Sequence, residues 1–182
     1  QITVPEFRQI VPEAELIRTV PEYDGWIIGD DPATAAVFSA GVAGSLRAAV
    51  KWGVGIDNVD FEGARANGIE VTNTPGAFSD EVADVVMGFI IMLARQLHVI
   101  SNGVREGNWW KPIGSSLRGK TVALVGYGNI GRESARRMVA AGMRVLAYDP
   151  QYRVDADIVG EVTHVEWPQR IEEADYLVLT CS

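Results

Sequence analysis

The stretch TVALVGYGNIGRESARRM, residues 121–138, narrows the folds open to this chain more than any other part of it. Thr121 to Val125 is an apolar run of strand length, and it leads directly into Gly126, Gly128 and Gly131 at the spacing G-x-G-x-x-G. Ile130, Ala135, Met138 and Ala141 then fall on one face of a helix. A strand, a tight glycine turn and a helix in this order belong to a parallel α/β sheet. The glycines have separable roles: Gly126 permits the turn, Gly128 lets the backbone approach a pyrophosphate, and Gly131 lets helix and strand pack closely. The amides of Asn129 and Ile130 open the helix, where unpaired donors and the helix dipole favour an anion.

The next strand, Met143 to Tyr148, ends at Asp149, about twenty residues beyond the third glycine. A carboxylate there accepts hydrogen bonds from adenosine ribose hydroxyls and repels a 2′-phosphate, which favours NAD over NADP. Arg153 is close enough in sequence to serve a phosphate instead. A turn made for packing alone has no need of Gly128 and Asp149 together. A related turn also serves methyltransferases that bind S-adenosylmethionine, which stands as the rival reading.

From Asp24 to Asn73 short apolar runs alternate with amphipathic stretches. GWIIG, LRAAVKW and IEVTN read as strands. Asp31-Pro32 supplies an N-cap and first-turn proline for a helix that Gly41 closes, and a second helix runs from Phe61 to Asn67, ended by Gly68. A long helix is expected from Ser79, its N-cap, with Asp80 and Glu81 at its positive end. Between Val82 and Ile100 it is apolar nearly all round, which predicts burial on several sides, between domains or at a subunit contact. Residues 101–120 lose the periodicity and read as a linker. Tyr176 to Cys181 reads as a strand buried on both faces.

The chain has 182 residues and a formal charge of −8, which opposes binding to a phosphate backbone and argues against a nucleic-acid partner. Its one cysteine, Cys181, has no internal partner, and no Cys/His cluster has metal spacing, so a reducing cytoplasm is expected. The longest apolar stretch, Val85 to Ala94, is too short to span a bilayer, so no membrane partner is expected.

Four motifs in order, KWGVGIDNVD, VTNTPGAFSDEVADVVMGFIIMLAR, LRGKTVALVGYGNIG with YDP, and ADYLVLTCS, resemble the D-isomer-specific 2-hydroxyacid dehydrogenases. The resemblance implies an NAD-dependent oxidoreductase acting on a D-2-hydroxy acid or the matching 2-oxo acid. It implies that the loop at Val54 and Gly55 offers amides to the substrate carboxylate, as an anion nest does. Lys51 either adds positive potential there or snorkels at a strand edge, and Asn73 satisfies turn backbone groups. The helix from Ser79 resembles the family's crossover into the cofactor domain, which implies that Val82 lies near the nicotinamide end; the other reading is plain core. The family's cofactor positions carry over onto Asn129, Ile130, Asp149, Thr180 and Cys181.

The resemblance also implies a catalytic arginine, glutamate and histidine in a half of the family sequence that would follow Ser182, so no catalytic residue is assigned here and the chain reads as truncated. His98, His164, Arg95, Arg136 and Arg137 read as structural or solvated positions, and Trp109 and Trp110 as anchors of the linker. The fold expected is α/β with parallel sheets. It comprises a partial flavodoxin-like substrate domain over residues 1–76 and the first half of a Rossmann NAD-binding domain over 77–182. An unpaired edge at the last strand and the apolar helix predict a homodimer. The alternative is a catalytically silent NAD(H)-binding or interaction protein of the same fold.

Overall fold

Every strand pairing among the described residues is parallel, which is what short apolar runs joined by helices require. The structure is a computed structural model that describes residues 2–4, 9–152 and 162–181. Arg153 and Ser182 lie outside the described residues. The chain divides into two units, Gln1–Ala77 and Phe78–Ser182.

The first unit runs α1 (Glu13–Thr19), a 3₁₀ turn (Val20–Glu22), β1 (Gly25–Ile28), α2 (Ala35–Ala43), β2 (Ala48–Lys51), α3 (Phe61–Ala66) and β3 (Glu70–Thr72). Its sheet order is β1-β2-β3. Leu16, Val20, Ile28, Val37, Phe38, Leu46, Ala64 and Ile69 form the core between helices and sheet. Burying a side chain such as Phe38 contributes about 1.5–3 kcal/mol.

The cap of α2 differs from the expected Asp31-Pro32 start. Thr34 is the N-cap, its Oγ1 accepting from the Val37 amide at 3.4 Å. Asp31 is engaged elsewhere: its carboxylate accepts from the Val11 amide at 2.8 Å and its carbonyl from Asn58 Nδ2 at 2.7 Å. Gly41 sits inside the helix, which Gly44 closes instead, and a Cβ on Gly41 would press on Leu46 and Val20. The helix from Phe61 forms as expected, with Asp60 accepting from the Gly63 amide at 2.7 Å and Gly68 following at φ 73°.

The second unit contains α4 (Ser79–Arg95), α5 (Leu97–Arg105), β4 (Thr121–Val125), α6 (Asn129–Ala140), β5 (Arg144–Tyr148), β6 (Val162–His164) and β7 (Tyr176–Leu179). Its sheet order is β6-β5-β4-β7. Numbered within this unit, that is 3-2-1-4, the first half of the doubly wound arrangement. The order in which strands are added switches sides between β4 and β7 while the strands stay parallel, and at such a switch point a crevice opens beyond the carboxyl ends. Val122, Leu124, Ala135, Met138, Met143 and Val145 pack α6 against the sheet. Arg137 is not merely solvated: it reaches Asp80 at 2.9 Å and Asp84 at 2.7 Å, joining α6 to α4.

The single helix expected over Val82 to Ile100 is two helices bent by 73° at Gln96, which adopts φ 53° and ψ 38°. A left-handed non-glycine residue costs about 1–2 kcal/mol. The returning segment offsets that cost: Gln96 Nε2 donates to the Ile113 carbonyl at 2.9 Å, and the Ser115 amide donates to the Ala94 carbonyl at 2.8 Å. Ser79 is the first helical residue, with Phe78 at the cap position and no side-chain capping bond. Burial is one-sided, with Ala83, Ile90 and Ala94 inside and Val82, Val85, Phe89 and Leu93 exposed. The linker begins later than expected, since α5 continues to Arg105. No single helix among the described residues is long and apolar enough to cross a membrane.

The strand at the end of the chain is buried on one face, not two. Among the described residues, β7 has only β4 as a neighbour in the sheet. Tyr176 and Val178 pack into the core, while Leu177 and Leu179 are 55% and 66% exposed. β6 was not anticipated; it adds three residues beside β5 through the register Val145↔Val162 to Ala147↔His164.

Candidate functional site

The glycine turn lies at the carboxyl end of β4, where the crevice opens. Gly126 has φ 95°, and a Cβ on it would strike the Thr180 carbonyl carbon and the Cys181 amide. A Cβ on Gly131 would collide with the Gly126 carbonyl oxygen and crowd Thr180 Oγ1 at 3.2 Å. Both glycines are therefore required by packing. Gly128 differs. Its φ is −74°, which any residue adopts, and a Cβ there would meet nothing within 4 Å. Packing supplies no reason for a glycine at this tip, which is also the N-cap of α6, whereas a ligand brought against the backbone does.

Asn129 and Ile130 begin α6, so their amides are first-turn donors directed out of the helix. Arg132 is fixed at the same mouth, donating to the Tyr127 carbonyl at 3.2 Å and to Asn129 Oδ1 at 2.6 Å. Sequence reasoning missed it; an arginine directly after the third glycine is the signal that could have found it. Thr180 ties β7 to the turn through Oγ1 to the Gly126 carbonyl at 2.8 Å and its amide to the Val125 carbonyl at 2.8 Å. Cys181 follows it, exposed and with a free thiol.

Asp149 stands at the tip of β5. One carboxylate oxygen accepts from the Tyr127 amide at 2.6 Å and the other from the Gln151 amide at 2.7 Å. The acid is thereby fastened to the middle of the G-x-G turn, a fixed acceptor of the kind the ribose hydroxyls of a dinucleotide need. The residues present fit such a ligand: a backbone opening at Gly128, amides at a helix start, an arginine and a fixed carboxylate. At the opposite end of the sheet, Asp175 accepts from Lys120 Nζ at 2.7 Å and from the Thr121 amide at 2.9 Å. The ammonium first, and the amide second, hold its carboxyl below the ordinary value. These bonds brace β7 against β4 away from the crevice.

In the first unit, the loop after β2 carries Val54 and Gly55, both exposed. Neither amide is engaged by another group among the described residues. A Cβ on Gly55 would meet nothing within 4 Å. Two side chains hold the loop: Thr74 Oγ1 accepts from the Gly53 amide at 2.9 Å, and Asn73 Nδ2 donates to the Val54 carbonyl at 3.1 Å. Asn73 thus has the backbone role expected of it. Lys51 is only 4% exposed, its ammonium 2.5 Å from the Gly29 carbonyl and 3.5 Å from Asp30, so the head group is not in water. Val82, one turn into α4, is 38% exposed. Trp109 is exposed, and Trp110 lies over Gly103 of α5. His98 is exposed on α5, while His164 sits on β6 with Nε2 3.1 Å from the Asp149 carbonyl oxygen.

Residues 87–182 match the family model described as the NAD-binding domain of D-isomer-specific 2-hydroxyacid dehydrogenases. The chain belongs to that family. A hydroxypyruvate reductase of Thermotoga maritima is 36% identical over 168 residues, which cover 91% of this chain and 53% of that one. A glyoxylate reductase of Korarchaeum cryptofilum is 38% identical over 155 residues, covering 82% of this chain and 46% of the other. Among solved structures, the apo form of D-lactate dehydrogenase from Escherichia coli superposes with a TM-score of 0.80 at 26% identity, over 91% of this chain and 54% of that one. The chain spans about half the length of the curated relatives it matches. As a member of the 2-hydroxyacid dehydrogenase family it carries the NAD-binding fold, with the glycine turn just described inside the matched range.

Proposed function

We propose that the chain serves an NAD-dependent dehydrogenase that interconverts a small D-2-hydroxy acid and its 2-oxo acid. The observation that carries this reading is the pairing of Gly128, open and unrequired by packing, with Asp149 fastened to the same turn. When bound, the nicotinamide supplies the hydride chemistry. The first-turn amides of Asn129 and Ile130, with Arg132 beside them, orient the pyrophosphate. Asp149 accepts from the ribose hydroxyls, and Thr180 and Cys181 border the cradle through Gly126. Val82 lines the approach to the nicotinamide.

In a substrate-binding domain over residues 1–76, the amides of Val54 and Gly55 hold the substrate carboxylate as a nest. Lys51 acts at one remove, fixing the Gly29 carbonyl at the carboxyl end of the neighbouring strand while its charge remains near the loop. The working form is a homodimer in a reducing cytoplasm, in which the exposed apolar side of α4 and the edge of β7, unpaired among the described residues, are covered.

A second reading is favoured by the histidines. His164 is committed to the Asp149 carbonyl and His98 is exposed on α5, and among the described residues neither is bonded to a carboxylate that would pair with it for proton transfer. On this reading the chain by itself binds NAD(H) without turning it over. One experiment separates the two: NADH oxidation is followed with glyoxylate and with hydroxypyruvate, beside a direct NADH titration. Oxidation supports the dehydrogenase reading for this chain alone. Binding without oxidation supports the second, and the absence of both rejects the shared dinucleotide site.

A further inference from the structure

Three rings lie in a row beside Asp149. Tyr127, between the first two glycines, faces Tyr152 with centroids 4.9 Å apart and planes 35° apart, and Tyr152 stacks on His164 at 4.6 Å and 16°. Both spacings lie where aromatic pairs gain more than their buried area alone supplies. The outer members of the row are bonded to one residue. The Tyr127 amide donates to Asp149 Oδ2 at 2.6 Å, and His164 Nε2 approaches the Asp149 carbonyl oxygen at 3.1 Å. A carbonyl only accepts, so Nε2 carries the proton in this contact. The Tyr152 amide donates to the same carbonyl at 3.1 Å. Asp149 is therefore held by its side chain at one end of the stack and by its backbone at the other, with the Tyr152 ring between.

We propose that Tyr152 and His164 are positioning residues that set the selectivity of this site for an unphosphorylated adenosine ribose. The inference rests on the dinucleotide reading above. Asp149 discriminates because its oxygens accept from two ribose hydroxyls and its charge repels a 2′-phosphate, and both effects depend steeply on where the carboxylate stands. The stack fixes that place from behind, through the Tyr127 amide on one side and the Asp149 carbonyl on the other. Neither Tyr152 nor His164 needs to touch the ligand. Tyr152 also packs on the core around Tyr127. A purely packing role weakens every ligand of the turn alike, whereas a positioning role acts on the difference between ribose and ribose 2′-phosphate.

The test is a pair of fluorescence titrations, with NADH and with NADPH, on the wild-type chain and on Tyr152→Phe, Tyr152→Ala and His164→Ala, each checked for folding by circular dichroism. The wild type is expected to prefer NADH and Tyr152→Phe to keep that preference, since the ring is retained. Tyr152→Ala and His164→Ala are expected to lose about threefold to tenfold in NADH affinity with NADPH unchanged, so that the ratio falls by the same factor. An unchanged ratio in both alanine variants overturns the proposal, whether or not the two affinities fall together. Should Tyr152→Ala fail to fold, His164→Ala, an exposed position on an edge strand, decides by the same ratio. A wild-type chain that binds neither nucleotide rejects the dinucleotide reading itself, and this inference with it, which is distinguishable from binding with an unaltered ratio.

Discussion

The glycine turn after β4 and the loop after β2 both present backbone amides at the carboxyl end of a parallel strand, yet they are held in opposite ways. The turn is enclosed: the end of β7 lies against Gly126, the Gly126 carbonyl fills the space a Gly131 side chain would need, and Asp149 grips the Tyr127 amide. The loop at Val54 and Gly55 is open, secured from below by Asn73 and Thr74. Each region nevertheless contains a glycine that the protein does not require, Gly128 in one and Gly55 in the other. The glycines that packing requires report on the fold, whereas these two leave backbone open to what approaches from outside. A preformed phosphate cradle loses little entropy on binding, whereas a loosely held nest must be ordered by its ligand.

The contrast predicts a graded set of outcomes. Gly131→Ala should do most harm, costing about 1–3 kcal/mol of stability because the new methyl overpacks against backbone, and abolishing measurable NADH binding; urea unfolding and calorimetry read the two effects. Gly128→Ala should separate them. Its stability should stay within about 1 kcal/mol of wild type, the cost of alanine at an N-cap, while NADH affinity falls by about tenfold or more as the added methyl meets the pyrophosphate. Equal stability with undiminished affinity would remove the distinction between the two kinds of glycine.

Asn73→Ala is expected to cost about 1 kcal/mol or less, and to speed amide hydrogen exchange across residues 53–56 with no change in the glycine turn. Protection that stays as high as in the turn would show the loop to be equally rigid. The smallest effect should come from Asp175→Asn. The folded carboxyl lies below its ordinary value, so its bonds to Lys120 and Thr121 stabilise the fold above the unfolded pKa of about 3.9. That contribution is lost as pH falls through the lower folded value. The difference in urea midpoint between wild type and variant should therefore be constant near neutrality and shrink only below about pH 4. A difference that persists into strong acid would place the source of stabilisation elsewhere.

What the sequence disclosed, and what it withheld, follows the same division. The strand from Thr121, the glycine turn, the helix after it and Asp149 were legible because each is specified within a few residues by periodicity and backbone freedom. The break at Gln96 was not, since the bonds that stabilise it come from Ile113 and Ser115, far along the chain. Thr34 displaced Asp31 as a cap for a similar reason, the Asp31 carboxylate being taken by the Val11 amide. An apolar run such as Tyr176 to Leu179 discloses strand but not whether both faces are covered, and only the packing reveals that Tyr176 and Val178 face the core while Leu177 and Leu179 are exposed. β6 is too short and too polar to announce itself, so its consequence, the placement of His164 beside Asp149, emerged from pairing alone.

The central claim is that the backbone opening at Gly128 and the carboxylate of Asp149 hold a dinucleotide. Isothermal calorimetry of the folded chain with NADH tests it most directly. The account predicts a saturable heat with one site per chain below millimolar ligand, weakened by about tenfold or more in Asp149→Ala, where two charge-assisted bonds to the ribose are lost. A flat titration at millimolar NADH, on a sample whose circular dichroism shows it folded, would contradict it.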